Sequence, residues 1–273
     1  MGRLVPAGGD LDSTKEHEFF MMQARPSKVP EATLAFWIIK ILSTGMGETT
    51  SDYLVHLIDP MIAVGLVGVV FVASLALQFA TRRYIAWVYW LAVVMVSIFG
   101  TMVADILHVG FGIPYLISTG FFAVLLGVIF VTWQRFEETL SIHSITTSRR
   151  ELFYWATVLT TFALGTAAGD MTATTLNLGY LISGVIFAVI IAIPAIAFRF
   201  FGLNAIPAFW FAYVVTRPLG ASFADWMGVA ADRGGLALGT GSVSLVVALM
   251  IVIAIGYLSI KDRQGGALSP QAN

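Results

Sequence analysis

Eight long apolar runs constrain this chain more than any other feature. They start near Ala32, Pro60, Tyr84, Pro114, Leu152, Leu178, Ala205 and Ser242. A helix needs about 20 apolar residues to cross a hydrocarbon core, and these runs lack the period-two alternation of a membrane-spanning strand. Little chain is left over: 58% of residues are hydrophobic and 11% charged, against about 25% charged in soluble domains. The sequence therefore predicts an all-α, polytopic membrane bundle of about eight transmembrane helices. A polar tail over 1–30, a single transmembrane domain over 31–263 and a second tail over 264–273 complete the expected organisation. Both tails read as solvated, and with no signal-peptide core in residues 1–30 the first span is expected to direct insertion.

Basic residues orient the spans. Arg82, Arg83, Arg135, Arg149, Arg150 and Arg199 fall in one set of connections, while the opposite set holds only Arg233. Because short cytoplasmic loops carry the excess of Lys and Arg, both termini and the 134–151 loop are expected in the cytoplasm of a bacterial cell, with the protein in its inner membrane.

A second pattern lies over the first. Trp37, Trp90, Trp155 and Trp210 are each followed ten residues later by Gly47, Gly100, Gly165 and Gly220, and five residues further by Asp52, Asp105, Asp170 and Asp225. Self-similarity of this kind marks an array of one supersecondary unit. The second helices echo it, since Gly112–Ser118 (GIPYLIS) parallels Asn177–Ser183 (NLGYLIS). Each unit is then a helical hairpin that enters and leaves on one side, over about 31–83, 84–135, 151–201 and 205–263. Four parallel-oriented hairpins share an axis along the membrane normal, which brings four equivalent aspartates to one depth.

This organisation, carried by Trp37, Trp90, Trp155 and Trp210 from about Trp37 to Lys261, resembles a family of bacterial and archaeal membrane-anchored proteins. That family is built of four tandem two-helix repeats of unknown function. The fourth unit departs most, through its Gly-rich segment Asp232–Gly241. The resemblance implies an architecture and no activity.

Function must come from the residues. The absence of cysteine removes thiolate metal sites and cysteine nucleophiles. A formal charge of −1 gives no basic footprint for nucleic acid. No Ser–His or metal-protease signature occurs in the spans, so the chain reads as a non-enzyme without a cofactor, with the lipid bilayer and a small cation as its partners. A carboxylate at the bilayer centre costs about 2.5–3.5 kcal/mol, less toward the interface, and intramembrane ionisable groups mark pathways. Asp52, Asp105, Asp170, Asp225 and Glu48 outnumber the intramembrane cations Lys40 and Arg217, a balance that favours cations. Hydroxyls at Ser43, Thr44, Thr101, Thr161, Thr166 and Ser222 lie near the glycines as neutral oxygen donors. The leading reading is a transporter or channel for a metal ion, or a proton-coupled one, with an aspartate ring; the competing structural reading makes each aspartate a helix cap. A further alternative is a scaffold or sensor that recruits a partner through loop 134–151.

Three secondary expectations follow. Lys40 should find an acid or extend to the interface, and Arg217 should pair with Glu48, Asp52 or Asp225. His56 and His108, four and three residues past their aspartates, are weak candidates for Asp/His metal ligation. The glycines should let helices approach closely, and the tryptophans should anchor the bundle at the lipid interface.

Overall fold

The computed structural model describes residues 27–267. Among them are eight long helices and no strands: α1 (Leu34–Leu57), α2 (Pro60–Ala80), α3 (Ala86–Asp105), α4 (Tyr115–Glu137), α5 (Ser148–Asp170), α6 (Gly179–Phe201), α7 (Ala205–Gly228) and α8 (Thr240–Ala267). Capping fixes several starts, with Thr33, Asp59, Thr147 and Asn204 accepting from the first-turn N–H groups of α1, α2, α5 and α7. The 24 residues of α1 or of α7 span about 36 Å at about 1.5 Å per residue, enough for the hydrocarbon core.

The helices form two concentric rings. In the most apolar stretches of α3 and α5, 67% of residues are buried, against 22% in α2, α4, α6 and α8. Among the described residues, six helices are long and apolar enough to cross a membrane by length and composition alone, as expected of a multi-pass membrane protein. The other two, α1 and α7, carry Lys40, Glu48, Asp52, Arg217 and Asp225 and lie in the inner ring, where those charges are kept from lipid. Only the inner ring can hold such residues, because a lipid-facing charge has no partner.

Neighbouring inner helices touch in the order α1–α3–α5–α7 and back to α1. The outer helices do not pack mainly on their own partners: α2 lies on α3, α4 on α5, α6 on α7, and α8 on α1. Each hairpin is therefore splayed, and its second helix covers the first helix of the next repeat. A single repeat cannot bury its inner helix alone, so the four must close together.

The two ends of the bundle differ in charge. At the end where the inner helices begin, residues 27–33 and the 138–147 connection cross the bundle. Ser27 Oγ donates to Ile142 O (2.9 Å) and the Lys28 N–H to Ile145 O (3.0 Å). Lys28 Nζ donates to Glu151 Oε2 at 2.6 Å, and Gln78 Nε2 to Glu151 Oε1 at 3.0 Å. Residues 27–30, expected in a solvated tail, are thus docked; the rest of both expected tails, apart from 264–267 at the end of α8, lies outside the described residues. The loop is docked as well, with Ile142 and Ile145 buried and Glu137 held by Arg149 and Arg150. We call this the basic end, and the opposite end, which carries the aspartates, the acid end.

Candidate functional site: a layered axis ending in carboxylates

Counting from the tryptophan of each repeat places equivalent residues in layers. The first layer pairs every tryptophan with the aromatic residue before it. Phe36–Trp37, Tyr89–Trp90, Tyr154–Trp155 and Phe209–Trp210 all meet edge-on with centroids 5.2 Å apart. Each preceding ring also reaches the tryptophan of the next repeat: Phe36 to Trp90 (5.6 Å), Tyr89 to Trp155 (5.7 Å), Tyr154 to Trp210 (6.1 Å) and Phe209 to Trp37 (5.5 Å). The result is a closed aromatic collar. This corrects the interface-anchor expectation for Trp90, Trp155 and Trp210, which are buried inside the bundle; Trp37 is half-buried. The Phe/Tyr-Trp dipeptide in all four repeats was the available signal, because an aromatic that must also touch its neighbour's tryptophan has to face inward.

Seven residues after each tryptophan stand Thr44, Ser97, Phe162 and Arg217. Each packs onto the repeated glycine of the preceding repeat. A Cβ on Gly47 would lie 2.5 Å from Ser97 Cβ, on Gly100 2.8 Å from Phe162 Cβ, on Gly165 2.5 Å from Arg217 Cβ, and on Gly220 3.0 Å from Thr44 Cβ. The glycines are thus sockets for the next repeat's side chain, the close-approach role expected of small residues in membrane bundles.

One of these side chains is a guanidinium, and it reaches all three other inner helices. Arg217 Nη1 donates to Thr44 O (2.6 Å), and Nη2 donates to Glu48 Oε2 (2.5 Å), to Thr166 Oγ1 (2.6 Å) and to Thr101 Oγ1. Glu48, Thr101 and Thr166 are the same register position, eleven residues past their tryptophans. The expected acid partner of Arg217 is therefore Glu48. Lys40 departs from expectation: it neither pairs nor reaches the interface. Its Nζ is fully buried without a hydrogen-bond partner, 3.7 Å from the Phe162 ring centroid and 4.2 Å from that of Tyr213, a cation–π setting. Below it, Tyr89 and Tyr154 join through their hydroxyls at 2.5 Å.

The aspartate layer closes the axis. Asp105 and Asp170 are the last α-helical residues of α3 and α5, each followed directly by a wide π turn, Ile106–Gly110 and Met171–Thr175. Such turns recur at functional sites. None of the four aspartates caps a helix: the caps at this end come from elsewhere, as when Asp59 Oδ1 accepts from Met61 N and Ile62 N. Asp52, Asp105 and Asp170 are half-buried, whereas Asp225 is 5% exposed and its Oδ1 has no partner. Among the described residues, Glu48, Asp170 and Asp225 present carboxylate oxygens that all lie within 4.8 Å of one another. The histidines are not part of this group. His56 Nδ1 meets Asp52 O at 2.6 Å, and His108 Nδ1 meets Ile113 O at 2.8 Å with its ring stacked on Tyr115. The expected Asp/His pairing is corrected accordingly: the broken helix after Asp105 turns His108 toward the connection, and His56 bonds the backbone carbonyl of Asp52 rather than its carboxylate.

A family model described as a Repeat of Unknown Function (DUF347) matches four tandem segments, residues 35–84, 88–139, 153–202 and 208–264. The chain belongs to this repeat family. Its four units are the four layered hairpins, so the collar, the glycine sockets and the carboxylate layer each draw one contribution from every unit. Neither the curated proteins nor the solved structures contain a match to the chain.

Proposed function

We propose that this membrane repeat protein is a carrier for a small cation, which it takes up through the carboxylates of the acid end. The observation that carries this reading is the gathering of Asp52, Asp105, Asp170, Asp225 and Glu48 toward one end of the inner ring, with none of the aspartates spent on capping. Their position sharpens the point. Asp105 and Asp170 end the α-helical parts of α3 and α5, and Asp225 lies in the last turn of α7, where exposed carbonyls already make the potential negative. Carboxylates there are disfavoured unless a cation or proton answers them.

A carrier fits the axis better than an open channel. Arg217 fills the centre through bonds to three helices, and the aromatic collar interlocks around the whole ring beyond it. One end offers charge and the other is closed, as in one state of an alternating-access cycle. By the distribution of basic residues, the basic end faces the cytoplasm of a bacterial inner membrane. The scaffold alternative has less support, because the backbone of loop 134–151 is engaged with the bundle rather than held out from it.

Reconstituted vesicles provide the test, with Mn²⁺, Ca²⁺, K⁺, Na⁺ and proton flux followed by indicator dyes. At least one cation should cross in the presence of the protein, and Asp105→Asn and Asp170→Asn should each abolish that flux. Flux that survives both substitutions would make the aspartate layer structural.

A further inference from the structure

The carboxylate layer is less symmetric than its sequence register. Of the four aspartates, only Asp170 and Asp225 join Glu48 in the group whose oxygens converge within 4.8 Å. We propose that Glu48, Asp170 and Asp225 form a site for one divalent, oxygen-preferring cation of the Ca²⁺, Mn²⁺ or Mg²⁺ class, with Arg217 as its fixed counter-charge. The proposal rests on the reading of the acid end as the place where a cation enters, and it names the ligands and the charge of that cation.

Three observations converge. The first is separation: Ca²⁺–oxygen bonds of about 2.3–2.6 Å put oxygens on opposite sides of one ion up to about 5 Å apart, which accommodates the observed spread. The second is unspent polarity. Asp225, whose carboxylate belongs to the group, is more than nine-tenths buried, and its Oδ1 has no partner. One turn earlier, Ser222 Oγ is also buried without a partner, 3.8 Å from the Cβ position of Gly169, the residue before Asp170. A buried polar atom without a partner costs about 1–3 kcal/mol, and an ion with oxygen ligands relieves it. The third is the orientation of Glu48: the hydrogen bonds it receives from Arg217, Thr101 and Thr166 all fall on Oε2, which leaves Oε1 to ligate.

Charge selects the valence. Three carboxylates beside one guanidinium leave two negative charges, which one divalent cation neutralises and one Na⁺ or K⁺ does not. The donor set is all oxygen, with neither imidazole nor thiolate, and this favours hard cations over Zn²⁺ or Cu²⁺.

Mn²⁺ titration of the purified full chain, followed by loss of the free-ion EPR signal, tests the site directly. Wild type should bind one Mn²⁺ saturably and release it to Ca²⁺. Asp225→Asn and Asp170→Asn should each weaken binding at least tenfold, and by clearly more than Asp52→Asn or Asp105→Asn, whose carboxylates lie outside the converging group. If Asp225→Asn does not yield monodisperse protein, the less buried Asp170 decides the matter through Asp170→Asn. No saturable Mn²⁺ binding, or equal loss across all four aspartates, overturns the proposal. Two results separate it from the carrier reading. Mn²⁺ that binds wild type but does not cross vesicles removes the carrier and keeps the site, whereas proton or monovalent flux without Mn²⁺ binding removes the site and keeps the carrier.

Discussion

The two ends of the inner ring are built from the same four helices and behave oppositely. At the basic end every repeat supplies an aromatic pair, and the four pairs interlock into a collar in which each ring has a neighbour on both sides. At the acid end every repeat supplies an aspartate, yet like charges cannot satisfy one another. There the structure relies on one arginine, and polar atoms such as Asp225 Oδ1 and Ser222 Oγ remain unpartnered. Fourfold repetition is self-complementary for quadrupolar rings, which attract edge to face, and self-defeating for carboxylates. Repetition alone therefore builds an interlocked collar at one end and, on the proposed reading, a demand for cations at the other.

The largest expected effect falls where the two halves meet. Arg217→Met leaves Glu48 buried and unpaired, which should cost about 3–5 kcal/mol of stability in detergent thermal melts. The Glu48→Gln/Arg217→Met double variant should recover most of that loss. If the single variant melts like wild type, the acid half does not depend on this pair. Next is the interlock between repeats. Gly220→Ala would push a methyl to 2.8 Å from Ile41 O and 3.0 Å from Thr44 Cβ, at a cost of about 1–3 kcal/mol. Gly120→Ala, with nothing within 4 Å of the new carbon, is the matched control and should stay within about 0.5 kcal/mol.

Within the collar, Tyr89→Phe removes the hydroxyl bonded to Tyr154 and should cost about 1 kcal/mol while leaving the ring packing intact. A change within about 0.5 kcal/mol of zero would mean that the collar is held by its rings alone. The smallest effect belongs to Lys40. Because its amine makes no hydrogen bond, Lys40→Met should leave the melting temperature unchanged or raise it, since an isosteric apolar chain avoids the desolvation of an amine. A clear destabilisation would show that the contacts with Phe162 and Tyr213 outweigh that cost.

Much of this was legible in the sequence, for identifiable reasons. The eight spans show because hydrocarbon thickness fixes their length, and the repeat shows because Trp and Asp are scarce enough in this chain for their spacing to stand out. What did not show was which way the tryptophans face. In a soluble helix, apolar residues mark the buried face, but lipid is as apolar as the core, so Trp90 or Trp155 is equally at home on either side. The polar stripe of Thr44, Glu48 and Asp52, at steps of four, carried the missing information, since those residues must point inward. The asymmetry of the acid end was also hidden. Arg217 and Glu48 stood out as charges whose repeat-mates are uncharged, yet only the closure of the ring, which sets α7 beside α1, brings them together.

The central claim is that the acid end is open to a cation while the collar closes the path. The natural chain has no cysteine, so single cysteines report without background. Asp105→Cys at the carboxylate layer and Tyr89→Cys in the collar should be compared for modification by a membrane-impermeant thiol reagent applied to each side of sealed vesicles. The account predicts fast modification of Asp105→Cys from the acid side only, and none of Tyr89→Cys from either side. Comparable reaction at both positions would mean an open pore, and no reaction at Asp105→Cys would mean that the carboxylates never meet water; either result contradicts the account.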